Sequence, residues 1–296
     1  MKKFFILSCL GLSSLFGDVI SVLPYGGKID YGSDYQSSYK DYATLYGVHA
    51  SIGNLGYLLE VDYSQYTATY KDPTQEQLKQ DDIAVAYGKY FPSWMFRFGM
   101  HYISTTDEQL GDGIVGILGV GGYSFYGYDK FSYGMNGYLS YYKDGHSNTQ
   151  NTTVDPTKTI IITQLSPYVS YYKSINKDWG NLIHLQLDAE YASEYDKKSY
   201  YSFAISDTIY YKKAFINVKY YNGEMRTGVK DNGFTVYNTL DLVKNGYSAK
   251  VGISLDALTL AFGYVSNTYR EYDPNRVVIT KDNTNSLYFT TISIGF

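Results

Sequence analysis

Two short clusters contain residue types that could carry hydrolytic chemistry. A histidine can activate a serine as a nucleophile when both side chains face one site, and the sequence has His146, Ser147 and Asn148 in succession. Neighbouring residues of a strand point to opposite faces, and this cluster stands in a polar loop, so we do not expect a nucleophile there. Asp81 and Asp82 form an acidic pair at the end of a strand-like segment. We expect this pair to be solvated.

Other reactive side chains are few. The 296 residues include four histidines and one cysteine, which excludes a disulfide framework and a metal site built from several cysteines. No glycine-rich phosphate loop is predicted, because Gly119, Gly121 and Gly122 stand in a strand-like segment where small residues relieve crowding. We therefore expect no enzymatic activity, no metal ion and no cofactor.

The composition narrows the class of protein further. Lys and Arg total 25, Asp and Glu total 29, and the formal net charge is −4. No run of basic residues exceeds two, so we expect no nucleic-acid partner. The mean hydropathy is −0.28, and no second apolar run of about 18 residues follows the N-terminus, which excludes a bundle of transmembrane helices. The 37 tyrosines are unusual for a cytosolic enzyme and favour a β-rich, membrane-bound protein.

The N-terminus has the pattern of a secretory signal peptide. Lys2 and Lys3 precede an apolar stretch over residues 4–16, and the small residue Gly17 comes just before the polar Asp18. We predict cleavage near Gly17, so that residues 1–17 are the signal peptide and residues 18–296 form one domain. Cleavage before Cys9, as in a lipoprotein, would leave too short an apolar region.

Apolar residues of the remaining chain recur at every second position. In residues 182–191 the odd-numbered residues from Ile183 to Tyr191 are apolar, and the even-numbered residues from His184 to Glu190 are polar. Such alternation predicts a strand with one apolar and one wet face. The same division appears in residues 57–64, 96–102, 214–220, 247–254 and 258–264.

Short and long connections alternate along the chain. Tight turns are predicted near residues 53–54, 92–93, 128–130, 212–213 and 255–257, and long polar loops are predicted over residues 68–81, 143–158, 222–245 and 267–285. Short turns on one side and long loops on the other are typical of outer-membrane barrels. Counting strands back from the C-terminus requires a poorly patterned first strand near residues 20–31. The sequence therefore predicts an all-β, antiparallel up-and-down transmembrane β-barrel of about 14 strands, with 12 as the alternative.

The C-terminus supplies a family resemblance. Tyr288, Ile292, Ile294 and the terminal Phe296 alternate on one face, which resembles the C-terminal assembly signal of Gram-negative outer-membrane β-barrel proteins. The resemblance implies a location in the cell outer membrane, contact with its lipid and lipopolysaccharide, and insertion by the barrel-assembly machinery. In architecture alone the chain is similar to the monomeric porins, and we expect a monomer.

The residues predicted to face the lumen are polar and carry both charges. Charges in a dry interior cost several kcal/mol each unless paired, so these side chains either line water or neutralise one another. A 14-strand barrel is wider than its side chains usually fill, which favours a water-filled channel. The predicted pore-lining residues are Glu60, Asp62, Asp82, Arg97, His49, His101, His184, Asp188, Glu190, Lys219 and Lys250.

These residues lead to a first functional hypothesis and to expectations about its ions. We expect a porin-like passive channel for small polar solutes or ions, with a mild preference for cations because the chain is acidic. We expect the three histidines to be scattered polar residues of the wall with no gating role; the alternative is that their protonation near physiological pH changes conductance or selectivity.

Two alternatives stay open at this point. A non-conducting surface or adhesion barrel would bind partners through its long loops. Inside a channel, some of the tyrosines could form a stacking track for ring-bearing solutes, although two interfacial aromatic girdles explain most of them. The aromatic residues with inward parity are Tyr66, Tyr138, Tyr142, Tyr168, Tyr172, Tyr210 and Phe215.

Overall fold

The computed structural model describes residues 19–31, 40–106, 110–144, 159–193, 197–226, 228–236, 241–255, 257–272 and 278–295. The predicted signal peptide, the cluster at 146–148 and the terminal Phe296 lie outside the described residues. The strands are β1 (Val19–Asp30), β2 (Lys40–Asn54), β3 (Tyr57–Tyr70), β4 (Leu78–Tyr90), β5 (Trp94–Thr105), β6 (Leu110–Tyr126), β7 (Asp129–Asp144), β8 (Thr159–Ser174), β9 (Trp179–Ala192), β10 (Ser199–Tyr211), β11 (Ala214–Arg226), β12 (Val229–Lys230), β13 (Thr235–Val236), β14 (Leu242–Leu255), β15 (Leu258–Tyr272) and β16 (Val278–Gly295).

Fourteen antiparallel strands close into one up-and-down barrel. Each barrel strand pairs with its neighbours in sequence, except that β11 pairs with β14 across the small hairpin of β12 and β13. The barrel closes where β1 pairs with β16, with Val22 opposite Ile294 and Asp30 opposite Ser286. This closure confirms the poorly patterned first strand and the count of 14 rather than 12. Among the described residues, no helix has the length and apolar character needed to cross a bilayer.

The predicted alternation fixes which face of each strand meets lipid. Outward side chains are apolar and exposed, whereas the inward ones between them include the polar and charged residues and are mostly buried or half-buried. Because each of the fourteen barrel strands is paired on both edges, the described part of the barrel has no open sheet edge toward lipid. The exposed outward set includes Val61, Ile83, Phe98, Leu118, Leu165, Leu187, Ile205, Val218, Val251 and Phe262.

The two ends of the barrel differ. At the turn end, which also holds both termini of the barrel, connections are as short as residues 55–56 and 212–213. At the loop end they are longer, such as residues 71–77. We use these two names for the ends throughout.

Several predicted long loops are in fact partly strand. The predicted loop 68–81 shrinks to residues 71–77, and in the predicted loop 267–285 β15 runs to Tyr272 and β16 begins at Val278. A membrane strand needs only about 9 to 11 residues to span, so the ladder continues beyond the bilayer, where lipid no longer selects apolar side chains on the outer face and the alternation disappears. The bulges, between Asn222 and Met225 and between Arg270 and Tyr272 among others, lie at this end.

Gly223 makes the bulge in β11 possible, which gives a stability prediction. Its φ is +123°, and a Cβ there would come within 2.3 Å of the Tyr201 carbonyl oxygen. We expect Gly223→Ala to lower the free energy of unfolding by at least about 2 kcal/mol, because left-handed strain and a backbone clash add up. Denaturant unfolding in lipid vesicles measures this.

The matched control is Gly137→Ala in β7, where the nearest atom to a new Cβ is the Leu165 side chain at 3.6 Å. We expect the control to unfold at nearly the wild-type denaturant concentration. Equal unfolding of the two variants would contradict the assigned role of Gly223.

Candidate functional site

A hairpin crosses the lumen of the barrel. Residues 229–236, which we call the lumen hairpin, contain β12, a one-turn 3-10 helix (Asp231–Gly233) and β13. The hairpin starts from the adjacent strands β11 and β14, and its helical tip contacts β5. In the barrel order β5 lies opposite that root, with β10 to β6 between them on one side and β15, β16 and β1 to β4 on the other. The hairpin therefore spans the full width of the barrel.

The tip of the lumen hairpin is held by its main-chain oxygens. Arg97 donates to the Asn232 carbonyl oxygen, and Nδ1 of His101 lies 2.8 Å from the Gly233 carbonyl oxygen. Asn136 Nδ2 donates to the Asn232 side chain at 3.3 Å. Gly233 has φ +100° and sits directly against Ile117, where a Cβ would clash at 2.4 Å. A glycine is thus required both by the backbone angle and by the close approach.

The base of the hairpin is held by one amide side chain. Gln164 on β8 donates from Nε2 to the Val229 carbonyl oxygen at 2.9 Å, and its Oε1 accepts from the Val229 N–H at 2.8 Å. The amide thereby replaces the partner strand that β12 lacks on this side. At the end of β11, just before the hairpin, the Arg226 N–H donates to Glu190 Oε2 at 3.2 Å.

Phe234 brings together residues that the sequence left apart. Its ring makes an edge contact with His49 on β2, with centroids 4.9 Å apart, and the Arg97 guanidinium lies 4.9 Å above the same ring. The expectation that the three histidines are scattered was therefore wrong for His49 and His101, which both contact the hairpin. His184 contacts Ser170 Oγ at 2.7 Å and the Tyr168 ring instead.

The inward carboxylates are held by donors of the wall. Arg97 pairs with Glu60 at 3.1 Å, and Asp62 accepts from the Tyr25 hydroxyl at 3.0 Å and faces His49 Nδ1 at 3.5 Å. This supports neutralisation between lumen charges, which the sequence analysis left as one of two possibilities.

Asp82 was predicted to be a solvated loop end, and this was wrong. The residue is only 7% exposed; it faces His101 Nε2 at 3.1 Å and accepts from Gln80 at 2.9 Å. The reason is that β4 begins before Asp82, at Leu78, which turns the carboxylate into the lumen. Asp188, also buried, accepts from Ser166 at 2.6 Å and from Gln186 at 2.8 Å.

The loop half of the lumen is packed with apolar side chains. One cluster joins the walls of β5 to β10 to the hairpin residues Val229 and Val236, and a second lies on β1 to β4 and β15. This half is therefore not simply water-filled, contrary to the uniform channel that we expected. The first cluster contains Ile103, Val115, Ile117, Tyr138, Tyr142, Ile160, Ile162, Ala192, Tyr200, Val229 and Leu242.

The turn half of the lumen is open. A cavity of 810 Å³ extends from the short turns along β3 to β8, and its lining includes Leu58 and Met95, which precede Glu60 and Arg97 on the same faces. The Glu60–Arg97 pair thus stands between this cavity and the hairpin tip. Other lining residues are Tyr90, Tyr123, Lys130, Ser132 and Tyr168.

The two lysines predicted to face the lumen lie on the wall opposite the Glu60–Arg97 pair. Lys219 on β11 and Lys250 on β14 stand in the turn half of their strands and are half-buried. The hairpin adds Lys230, whose ammonium lies 3.8 Å from the Tyr221 ring centroid. Desolvation and the neighbouring Lys219 charge lower the pKa of Lys230 to about 8.

The inward aromatic residues separate into two groups. Tyr138 and Tyr142 belong to the apolar cluster, and the Tyr66 hydroxyl bonds to Tyr31 at 2.6 Å. The others stay in the turn half, where contacts between Tyr172 and Tyr210 and between Tyr210 and Phe215 have centroid distances of 6.3 Å. A stacking track is therefore possible only for this second group, which also contains Tyr168.

The structure carries all eleven predicted pore-lining side chains on the inner faces of their strands, but it gathers only some of them around the hairpin. Sequence reasoning missed Gln164, Asn136 and the hairpin. A signal was present, because the turn residues Asp231, Asn232 and Gly233 stand between β-forming residues within the longest predicted loop.

Comparisons with known proteins agree on the architecture. No family model and no curated protein sequence matches the chain. Among solved structures, the chain is similar to CymD, described as a monoaromatic hydrocarbon channel, with 5% identity over 93% of this chain and 87% of that one and a TM-score of 0.52. It is also similar to a bacterial polysaccharide outer membrane secretin, with 8% identity, 93% and 98% coverage and a TM-score of 0.51.

A further similar structure is Omp33 of Acinetobacter baumannii, with 8% identity, 94% and 97% coverage and a TM-score of 0.47. The closed barrel and its apolar outer face are those of an outer-membrane β-barrel, and the likeness to CymD and the secretin is one of fold.

Proposed function

We propose that the protein is a passive channel for small polar solutes across the outer membrane, and that the lumen hairpin is its constriction. The observation that carries the proposal is the division of the lumen. The turn half is open and bears charged groups on both walls, whereas a transverse hairpin narrows the lumen above it. Solutes would enter from the loop end, pass beside the hairpin and leave through the turn end into the periplasm.

The charged wall favours polar solutes over hydrocarbons. CymD is described as a hydrocarbon channel, but at 5% identity this likeness is one of fold. Here the path beside the hairpin tip meets Arg97, Glu60, Asp62 and His49. An apolar solute would have to displace water from these groups without replacing their hydrogen bonds, which is unfavourable.

A non-conducting barrel is the second candidate, and a specific observation favours it. The hairpin spans the lumen, and its apolar contacts with β5 to β10 remove water from part of the loop half. If no passage remains beside the hairpin, the barrel does not conduct and would act through its surface instead.

Reconstitution of the refolded mature chain in planar bilayers separates the two candidates. We expect stepwise, ohmic conductance that does not require a voltage pulse, because inward polar side chains of β3 and β4, namely Ser64, Gln80 and Asp82, stand beside the hairpin tip. Correctly folded protein that gives no steps would contradict the channel and favour the surface role. Heat-dependent mobility on gels verifies folding before each recording.

A further inference from the structure

We propose that the inner wall formed by β10, β11 and β14 binds the oxyanion group of small anionic solutes as they pass. We call it the lysine wall and define it by Ser206, Lys219, Ser248 and Lys250. The inference rests on the proposed channel and deepens it, because it names the chemical class of its solutes: small molecules that carry a carboxylate or phosphate.

The strand register places two lysines side by side. Lys219 is opposite Ser248, and Asn217 is opposite Lys250. The two lysines are therefore diagonal neighbours on one inner face, with their backbones about 7 to 8 Å apart. The register gives neither lysine an acidic neighbour directly across the ladder. An anion bound between them would accept a charge-assisted hydrogen bond from each.

No carboxylate of the described residues compensates these two ammonium groups. Neither Lys219 nor Lys250 forms an ion pair within the described part of the chain, and the contact of Lys250 is with the Phe215 ring at 5.6 Å. The lumen acids Glu60 and Asp62 stand on the other wall, where Glu60 is paired with Arg97 and Asp62 is held by Tyr25. The carboxylate of the hairpin, Asp231, accepts from the Thr235 hydroxyl at 2.9 Å.

A row of hydrogen-bond donors continues along the wall. His184 is opposite Ser206, Ser206 is opposite Lys219, and Lys219 is opposite Ser248, so these inward side chains form one line across four strands. Hydroxyl and ammonium groups can all donate to an oxyanion. The side chains are half-buried, which leaves them open to solute but weakens screening by salt.

The lumen hairpin brings one further ammonium group to the same side, that of Lys230, which lies over the Tyr221 ring, although the adjacent Asp231 leaves the hairpin without net charge. The acids Asp82, Asp188 and Glu190 stand farther toward the loop end and are engaged by donors on the barrel strands. The alternation of residues along a strand shows which charged side chains face inward, but it does not show how far along the barrel axis they lie. The mild cation preference expected from net charge is therefore replaced here by a preference for anions.

Equilibrium binding of inorganic phosphate tests the site without any conductance. Refolded protein in detergent is titrated while phosphorus NMR relaxation reports binding, with the variant Lys219→Gln/Lys250→Gln and the control Lys130→Gln. Lys130 is a lysine of the other wall whose ammonium lies 5.2 Å from the Tyr123 ring centroid. We expect wild type and control to bind equally and the double variant to bind at least about tenfold more weakly.

Absence of phosphate binding by the wild type, or equal weakening in Lys130→Gln and in the double variant, would overturn the site. To keep the test valid if the double variant folds poorly, the single variant Lys219→Met and the single variant Lys250→Met are titrated as well. Each is expected to weaken binding, and wild-type affinity in both would also overturn the proposal.

Reversal potentials in a potassium chloride gradient provide the second measurement. We expect anion selectivity in the wild type and a shift toward cations in the double variant that exceeds the shift in Lys130→Gln. Phosphate binding without conductance would remove the proposed channel and keep the site. Conductance with unchanged selectivity in the double variant and no phosphate binding would keep the channel and remove the site.

Discussion

Replacing residues 229–236 by a Gly-Ser linker of half their length is expected to raise the single-channel conductance several-fold. The hairpin crosses the whole lumen between its root on β11 and β14 and its contacts on β5. None of the barrel's strand pairs depends on it, because β11 and β14 pair directly from Ala214 to Arg226. The shortened chain should therefore form the same barrel with a wider passage.

The control for this variant shortens residues 71–77 in the same way. That connection also lies at the loop end, but its described hydrogen bonds run within it, as from Thr74 to Asp72, or to the adjacent strand ends at Thr69 and Thr106, and none crosses the lumen. We expect its conductance to equal that of the wild type. Unchanged conductance after removal of the hairpin would show that the constriction lies elsewhere. Conductance that appears only after removal would show that the hairpin is a plug and would favour the non-conducting barrel.

The architecture could be predicted because a barrel in a membrane repeats one simple constraint at every strand. Lipid selects apolar side chains on one face and water selects polar ones on the other, so the alternation in residues 182–191 already fixes strand and facing. The weak first strand could be inferred only from closure, since Val19–Asp30 has little alternation of its own. At the loop end the outer faces of the strands no longer meet lipid, so the alternation that marks a strand is lost there. The strands therefore extend farther toward the loop end than the alternation predicts.

The interior could be predicted only in part, because its contacts join residues far apart in sequence. Parity placed Arg97 and His101 inward, but their partners Asn232 and Gly233 come from a loop whose polar composition predicts solvent exposure. The height of a charge also depends on barrel register. For this reason the sequence could not show that Lys219 and Lys250 lie in one half of the lumen and Asp188 in the other.

Gln164→Met is expected to release the lumen hairpin and to make the channel current noisy. Gln164 is 1% exposed, and its amide makes both hydrogen bonds to the equally buried Val229 backbone. Met has a similar shape but cannot form either bond, so the Val229 N–H and C=O lose their partners. At about 1 to 3 kcal/mol for each orphaned group, docking of the hairpin should weaken by on the order of 4 kcal/mol.

A loss of that size changes the docked-to-undocked ratio by roughly three powers of ten, which converts a rarely open hairpin into one that leaves its position often. Two measurements report this: open-channel current noise, and cleavage by trypsin after Lys230, which lies in the hairpin. The matched control is Gln186→Met on β9, which removes one bond to Asp188 and touches no described hairpin atom. We expect quiet currents and trypsin resistance in the control. If Gln164→Met is as quiet and as resistant as the wild type, the hairpin is held by its tip contacts with Arg97 and His101, and the amide of Gln164 does not anchor it.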